Sequence, residues 1–328
     1  MATEDTLEIR ATSPLEGFLK TVGFVGSMLG IVNFGLANMP DEKKVRGPTV
    51  RVKVGTSGGD DAELDGGFNS IYAWDSENCY LGWADGKHIG SGDIDDFVID
   101  SVSGGTRAEY VGVAASTDGV CIAWVSVSQF DGTPGGAWTG DVGYYCGQPW
   151  YPSKEKAGFV DKDLSKPFIP RCTWLDKDHN NKIPRAALKF SVSGYGEDAV
   201  KTIDNSKACD RSLFGPDSGP ISKRPQKRVE RRARLPWMEQ KLVMSNITQH
   251  TAEELCTSTT SYGPDFVGSD GKFCDMGTKT LSPLCSTENV PGCIDINNKS
   301  KTVTKRSFIA RRAVDVNHKT YKAIDSWA

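Results

Sequence analysis

The sequence of 328 residues is poor in histidine and lacks the common motifs of metal-binding and phosphate-binding proteins. It has four histidines, no CxxC spacing, and no GxxxxGK or GxGxxG segment. These absences argue against a structural zinc site and against a nucleotide-binding loop. No group of residues stands out as a nucleophile, a base and an orienting residue, so the sequence does not support an enzymatic function.

Long amphipathic helical runs are also absent from residues 49–195, where short apolar segments are separated by Gly, Asp, Ser and Asn turns. The segments predicted as strands are 49–55, 70–75, 95–102, 108–116, 120–130, 140–147 and 187–195. This pattern is expected for an antiparallel β-sandwich and disfavours a parallel α/β sheet. We assign the β-sandwich domain to residues 41–200.

Charge is absent from residues 21–39, a run that follows a capping box in which Ser13 and Glu16 flank Pro14. The sequence predicts a disordered N-terminus at 1–12 and a glycine-rich hydrophobic helix at 13–40. Because glycine permits close helix contacts, we expect this helix to lie against its own chain or a partner chain in an oligomer. Membrane contact through residues 14–37 and removal as a leader are the alternatives.

Cysteine usage favours a secreted, extracellular protein. Nine cysteines at irregular spacing suit disulfides in an oxidising compartment, and the odd number leaves one thiol free or paired between chains. Sequons at Asn246 and Asn298 predict glycosylation. A strand at 241–247, a capping box at Thr251 and a loop-rich segment at 261–285 complete a small disulfide-rich α+β unit at 237–328.

Positive charge is concentrated in residues 223–234, where seven Lys or Arg face one Glu. A nucleic-acid binder normally spreads basic residues over a folded face, so no nucleic-acid partner is predicted. The tract lies in a Pro- and Gly-rich stretch that predicts a basic linker at 201–236. Its dibasic pairs predict proteolytic processing, and an uncut linker or an anion-binding patch are the alternatives. The candidate processing residues are Arg224, Arg228, Arg232 and Arg234.

A glycine-rich aromatic segment holds the candidate carbohydrate-binding site. Flat rings on a β-sandwich can stack on the C–H faces of sugars, while nearby Asp131, Asp141 and Gln148 offer hydrogen bonds to hydroxyl groups. The alternative is that some of these rings belong to the core. The candidate residues are Trp138, Tyr144, Tyr145, Trp150 and Tyr151.

The segment CTWLDKDHNNKIP holds the candidate metal site. Asp176, Asp178 and Asn180 alternate and Lys182 offers its carbonyl oxygen, as in the opening half of an acidic calcium loop. Calcium is therefore the cofactor that this loop would take. The match is incomplete, because Ala187 stands where such a loop has a bidentate Glu. A polar turn, or a catalytic role for His179, are the alternatives.

The chain resembles a family of secreted fungal proteins that have no established activity. The resemblance covers nearly the whole chain from residue 11 and lies in the segments ATSPLEGFLKTVGFVGSMLGIVNFGL, WTGDVGYYCGQPWYPS, CTWLDKDHNN and HTAEELCTSTTSYGPDFV. It implies fungal origin, a removed secretion signal and cleavage at dibasic sites by kexin-like proteases. It implies no catalytic residue.

The leading functional hypothesis is a secreted, non-enzymatic protein that binds glycans or a cell surface, with calcium holding a loop. The first alternative is a membrane-active or host-directed toxin or effector that proteolytic processing activates. The second is a secreted hydrolase that uses Asp and His groups.

Overall fold

The computed structural model describes residues 47–56, 64–102, 104–132, 134–159, 167–179, 183–204, 207–221, 234–309 and 312–328. The predicted N-terminus 1–12 and helix 13–40 lie outside these residues. Within the described part of the chain, no helix is long and apolar enough to cross a membrane. The predicted mainly β class is confirmed, since most elements are strands in antiparallel sheets.

The first sheet contains most of the strongly hydrophobic strands. Its strands are β1 (Thr49–Val54), β5 (Ile94–Val98), β7 (Val120–Ser128), β8 (Pro134–Thr139), β9 (Trp150–Tyr151) and β12 (Cys172–Leu175). They run in the order β5-β1-β7-β12-β9, with β8 paired to β7. Strand β1 alternates, so Val50 and Val52 are fully buried while Arg51 bonds to Asp96 on β5 at 2.7 Å. Strand β7 is central and is buried along its whole length.

The second sheet is also antiparallel. Its strands are β2 (Gly66–Trp74), β3 (Tyr80–Asp85), β4 (His88–Ile89), β6 (Tyr110–Ala115), β13 (Ala187–Ser191) and β14 (Ser212–Gly215). They run in the order β14-β13-β6-β2-β3, with β4 paired to β2. One face contributes Ile71, Val113 and Phe190 to the hydrophobic core that also contains Val52 and Val125 of the first sheet. The outermost strand β14 lies inside the range 201–236 that the sequence predicts as a linker.

The strand predicted at 140–147 is wrong, because this segment forms helix α1 (Gly140–Tyr145). A Cβ atom at Gly143 would lie 2.0 Å from Thr173 Oγ1, and one at Gly140 would lie 2.2 Å from the Arg171 carbonyl oxygen. The glycines therefore let one helical turn pack directly on β12, a contact that local strand propensity does not reveal. Further short elements are β10 (Gly158–Phe159), β11 (Pro167–Phe168), a 3-10 turn (Ser193–Tyr195) and α2 (Ala199–Asp204).

The C-terminal region, residues 234–328, contains one mixed sheet and one antiparallel sheet. Its elements are α3 (Pro236–Glu239), β15 (Lys241–Ser245), α4 (Ala252–Thr257), β16 (Asp265–Val267), β17 (Lys272–Asp275), β18 (Thr280–Pro283), β19 (Ile294–Asn297), β20 (Thr302–Ile309), β21 (Arg312–Thr320) and β22 (Ala323–Trp327). The sheet orders are β18-β17-β16-β15-β22 and β19-β20-β21. Strand β15 runs parallel to both β16 and β22.

Two of the local predictions for the C-terminal region are confirmed and one is incomplete. The predicted strand at 241–247 is β15, and the Thr251 side chain caps α4 by accepting the Glu254 N–H at 3.3 Å. The segment 261–285, predicted as loop-rich, contains β16, β17 and β18. These strands have only three or four residues each. Such short segments do not show enough alternation of apolar and polar residues to be identified as strands from the sequence, and they are recognised only by their place in the sheet beside β15.

The C-terminal region packs on the N-terminal region, residues 47–221, through three aromatic residues that we call the interface rings: Trp150, Tyr151 and Trp174. All three are fully buried in the core that also contains Phe266 and Trp327. Main-chain bonds reinforce the contact, since the Tyr262 N–H donates to the Trp150 carbonyl oxygen at 2.9 Å. The two regions therefore share one core.

Four disulfides confirm the predicted disulfide bonding. Cys121–Cys172 and Cys146–Cys209 lie in the N-terminal region, and Cys256–Cys274 and Cys285–Cys293 lie in the C-terminal region. The ninth cysteine, Cys79, is free and exposed. Four disulfides suggest a protein that folds in an oxidising compartment or outside the cell.

Candidate functional site

Three of the five rings predicted to bind carbohydrate are buried, which corrects that assignment. Trp138, Trp150 and Tyr151 expose none of their surface. The Trp138 Nε1–H donates to Ser212 Oγ at 3.1 Å, and the Trp150 Nε1–H donates to Ser258 Oγ at 3.0 Å. A ring must present a face to solvent before a sugar can stack on it, so these three residues act in the core.

The other two predicted rings, Tyr144 and Tyr145, are half-buried beside an ionic cluster. The Arg171 guanidinium lies 4.5 Å from the centre of the Tyr144 ring and pairs with Asp141 at 2.7 Å and with Glu254 at 2.6 Å. Burial raises the pKa of the Asp141 carboxyl group, and the Arg171 charge opposes that shift. Because Glu254 belongs to the C-terminal region and Arg171 to the N-terminal region, their ion pair links the two regions.

The predicted calcium loop is only partly described. Asp176 is fully buried, Asp178 is exposed, and Asn180 and Lys182 lie outside the described residues. His179 adopts a left-handed φ of 54° and its ring nitrogens contact the carbonyl oxygens of Ile183 at 2.7 Å and Pro216 at 2.8 Å. No group of three or more His, Cys, Asp or Glu within the described residues could hold a metal ion.

The processing residues Arg224, Arg228 and Arg232 lie outside the described residues. Arg234 is described, and its side chain is only 9% exposed. It donates to the Met238 carbonyl oxygen at 2.6 Å and pairs with Asp265 at 3.1 Å, so a protease could reach it only after these contacts break.

The two predicted glycosylation residues lie at the surface. Asn246 and Asn298 are both exposed. Asn246 follows β15 and Asn298 follows β19, so each is at a strand end where a glycan would project from the fold.

Exposed rings lie instead on the outer surface of the second sheet, on β2 and β3. Tyr72 and Trp74 alternate with the core residues Ile71 and Ala73 and therefore point away from the core. The antiparallel register places Trp83 opposite Tyr72, and Tyr80 opposite Trp74. We call the four residues Tyr72, Trp74, Tyr80 and Trp83 the aromatic face.

Three rings of the aromatic face are close neighbours, and Trp83 is the cross-strand partner of one of them, Tyr72. The Trp74 ring centre lies 6.0 Å from that of Tyr72 and 6.3 Å from that of Tyr80. Tyr80 is 47% exposed and Trp83 is 49% exposed, whereas Trp74 is only 5% exposed. Trp74 is therefore a buried member of the aromatic face, whereas the rings of Tyr80 and Trp83 are about half exposed to solvent.

Lys189 of β13 holds Trp74 in place. Its ammonium group lies 3.6 Å from the centre of the Trp74 ring and donates hydrogen bonds to Asn78 Oδ1 and to the Ile221 carbonyl oxygen. Burial lowers the pKa of Lys189 to about 8. An ammonium over the ring face is a cation–π contact, so Lys189 fixes the orientation of Trp74 relative to the β2–β3 turn.

The turn between β2 and β3 positions Tyr80. Asp75 Oδ1 accepts the N–H groups of Glu77 at 2.9 Å and Cys79 at 2.8 Å. Asn78 adopts a left-handed φ of 64°, a conformation that asparagine tolerates better than most residues. This local bonding gives Tyr80 a defined position at the start of β3.

Sequence reasoning missed the aromatic face because it did not predict β3. Residues 80–85 read YLGWAD, which is a short segment with a central glycine. The alternation of Tyr72 and Trp74 within the predicted strand 70–75 was the available signal for two rings on one side of a strand. Trp83 joins them only through strand pairing, which a single segment does not reveal.

Known proteins give no further guidance to this site. No protein-family model matches the chain, and no curated protein matches it. The function proposed below is therefore inferred from the residues of the aromatic face.

Proposed function

We propose that the protein is a secreted, non-enzymatic protein that binds glycans, and that the aromatic face is the binding surface. The observation that carries the proposal is the pair of half-exposed rings, Tyr80 and Trp83, on the outer side of an antiparallel sheet. Aromatic rings held on a rigid sheet offer flat, weakly apolar surfaces that match the C–H faces of sugar rings. Trp74, which Lys189 contacts from its ring face, packs edge-on against the Tyr80 ring.

Exposed carboxylates favour a glycan over a nucleic acid as the stacked ligand. Glu77 and Asp85 are exposed at the two ends of β3. Nucleic-acid binding depends on basic residues that neutralise phosphates, and acidic groups around the rings would repel the phosphate backbone. Carboxylates instead accept hydrogen bonds from sugar hydroxyl groups.

The proposal includes a β-sandwich formed by the first and second sheets, secretion, fungal origin and processing in the basic tract. The common core of the two sheets and the four disulfides support the first two. Membrane action through residues 14–37 stays a prediction of the sequence, because that segment lies outside the described residues.

Calcium binding at residues 176–182 is a separate part of the proposal. If calcium holds this loop, the midpoint of thermal unfolding should rise in calcium and fall in chelator, and Asp178→Ala should remove the difference. Equal midpoints in both solutions would contradict calcium binding without affecting the aromatic face.

A panel of immobilised glycans tests the main proposal. The full chain should bind at least one polysaccharide, and Trp83→Ala or Tyr80→Ala should weaken that binding by about tenfold or more, the loss expected for one stacked ring. Val316→Ala is the matched control, because Val316 is 52% exposed in the C-terminal region. Binding that Trp83→Ala leaves unchanged, or the absence of any glycan ligand, would overturn the proposal.

A further inference from the structure

The charges around the aromatic face point to the kind of glycan it prefers. Asp85 lies two residues after Trp83 on β3, so its side chain leaves the strand on the same side as the Trp83 ring. Glu77 lies in the turn that precedes Tyr80 and is exposed. One exposed carboxylate therefore lies on β3 on the same side as Trp83, and another lies in the turn three residues before Tyr80.

A third carboxylate belongs to the segment beside β3. The Val102 N–H donates to the Leu81 carbonyl oxygen at 3.0 Å, and the Asp100 carbonyl oxygen lies next to Gly82. Asp100 is exposed. Glu77, Asp85 and Asp100 form no ion pair with a basic side chain among the described residues.

Lys189, the basic side chain of β13 at this face, is held away from solvent. Lys189 is only 3% exposed, and its ammonium group is directed at Trp74, Asn78 and Ile221. Beyond the turn, a polar cleft continues the acidic surface with Glu109 and Glu197, and its Arg107 pairs with Asp131 at 2.7 Å. Lys87, two residues after Asp85, pairs with Asp95, and the exposed charged side chains of residues 75–85 are the carboxylates Glu77 and Asp85.

From these contacts we propose that the aromatic face selects glycans that contain protonated amino sugars. This inference rests on the proposed glycan binding and adds the ligand class. An ammonium group on a sugar that stacks on Trp83 can contact the ring face as a cation and pair with Asp85 or Glu77. Uronic or sulfated sugars would meet like charge at the same positions.

Three polymers with known charge test this selectivity on the full chain, which includes the basic residues 223–234. They are a neutral β-1,4-linked N-acetylglucosamine polymer, the same polymer after deacetylation, and a sulfated polysaccharide. We expect about tenfold tighter binding of the deacetylated polymer than of the neutral one, from one exposed cation–π contact and one surface ion pair. The preference should shrink in high salt, and any binding of the sulfated polymer through the basic residues 223–234 should not depend on Trp83.

Variants separate selective recognition from general attraction of a polycation to an acidic protein. The double variant Glu77→Gln with Asp85→Asn should lose the preference and keep its affinity for the neutral polymer. Glu288→Gln removes an exposed carboxylate of the C-terminal region and should change nothing. Trp83→Ala keeps every charge and should weaken binding of both glucosamine polymers by about tenfold or more.

The possible outcomes bear on different claims. Equal affinity for the neutral and deacetylated polymers would overturn the selectivity and leave the proposed function standing. Binding of the deacetylated polymer that Trp83→Ala leaves unchanged would also overturn it, because the charge alone would then account for the attraction. No binding of any glycan would overturn the proposed function itself.

Discussion

The interface rings and the aromatic face contain the same residue types and have opposite relations to solvent. Trp150, Tyr151 and Trp174 are fully buried between the two regions, whereas Tyr80 and Trp83 are about half exposed on the second sheet. The first group holds the C-terminal region on the N-terminal region, and the second is free to meet a ligand. Strand pairing and packing, and not composition, therefore decide which aromatic side chains reach solvent.

Replacing an interface ring should have the largest effect on stability. Trp150→Ala removes a buried ring and leaves Ser258 without its Nε1–H donor, so we expect a loss of about 3–5 kcal/mol in the free energy of unfolding. Trp83→Ala is the matched control and should change stability by only about 0.5 kcal/mol, as surface substitutions usually do. Urea unfolding measures both, and similar losses for the two variants would remove the distinction between the groups.

Acid should weaken the interface through His250. This side chain lies 5.7 Å from the Trp327 ring and bonds Ser245 Oγ through Nδ1 at 2.9 Å. Burial, followed by the Arg171 charge, lowers the pKa of His250 from 6.5 to about 4. Between these values the unfolded chain binds a proton that the folded chain does not. The stabilisation is therefore complete above pH 6.5 and is lost as pH falls toward 4, by about 3 kcal/mol at most.

Urea unfolding between pH 7 and pH 4 checks the His250 prediction. His250→Gln should flatten the pH dependence, while Val316→Ala, which removes no titratable group from an exposed position, should leave it unchanged. A wild-type slope that His250→Gln does not alter would show that other groups govern the acid response.

High pH should increase the stability of the folded protein through Lys189, which contacts Trp74 of the aromatic face. Its folded pKa of about 8 lies below the ordinary value of 10.5, so between these values only the unfolded chain keeps the proton. Stability should therefore rise with pH over this window. Urea unfolding of wild type and Lys189→Met from pH 7.5 to 10 isolates this contribution. Identical slopes for the two proteins would contradict it.

Cutting the chain in the basic tract should have the smallest effect, because all four disulfides lie to one side of it or the other while the core is shared. After cleavage by a dibasic-specific protease, the two chains should still elute together in size-exclusion chromatography without a covalent link. Arg171→Ala, which removes the ion pairs to Asp141 and Glu254, should promote their separation. Separation of the wild-type halves would mean that the interface rings are too weak to hold them.

Local patterns explain which parts of the fold were predictable. Strict alternation in residues 49–55 gives β1, and the capping box at Thr251 gives α4, since both signals lie within a few consecutive residues. The exposure of a ring depends on what covers it from elsewhere in the chain. Trp150 is buried by residues about 110 positions away, such as Ser258, and Trp83 reaches Tyr72 only through strand register.

Oxidative footprinting of tryptophan tests the central claim most directly. All eight tryptophans are described, and Trp83 is the one that is about half exposed. Mass spectrometry of the oxidised protein, with and without a saturating glycan from the binding panel, should show Trp83 as the most reactive tryptophan in the free protein and as protected in the complex. A complex in which Trp83 stays reactive, or in which a different tryptophan is protected, would contradict glycan binding at the aromatic face.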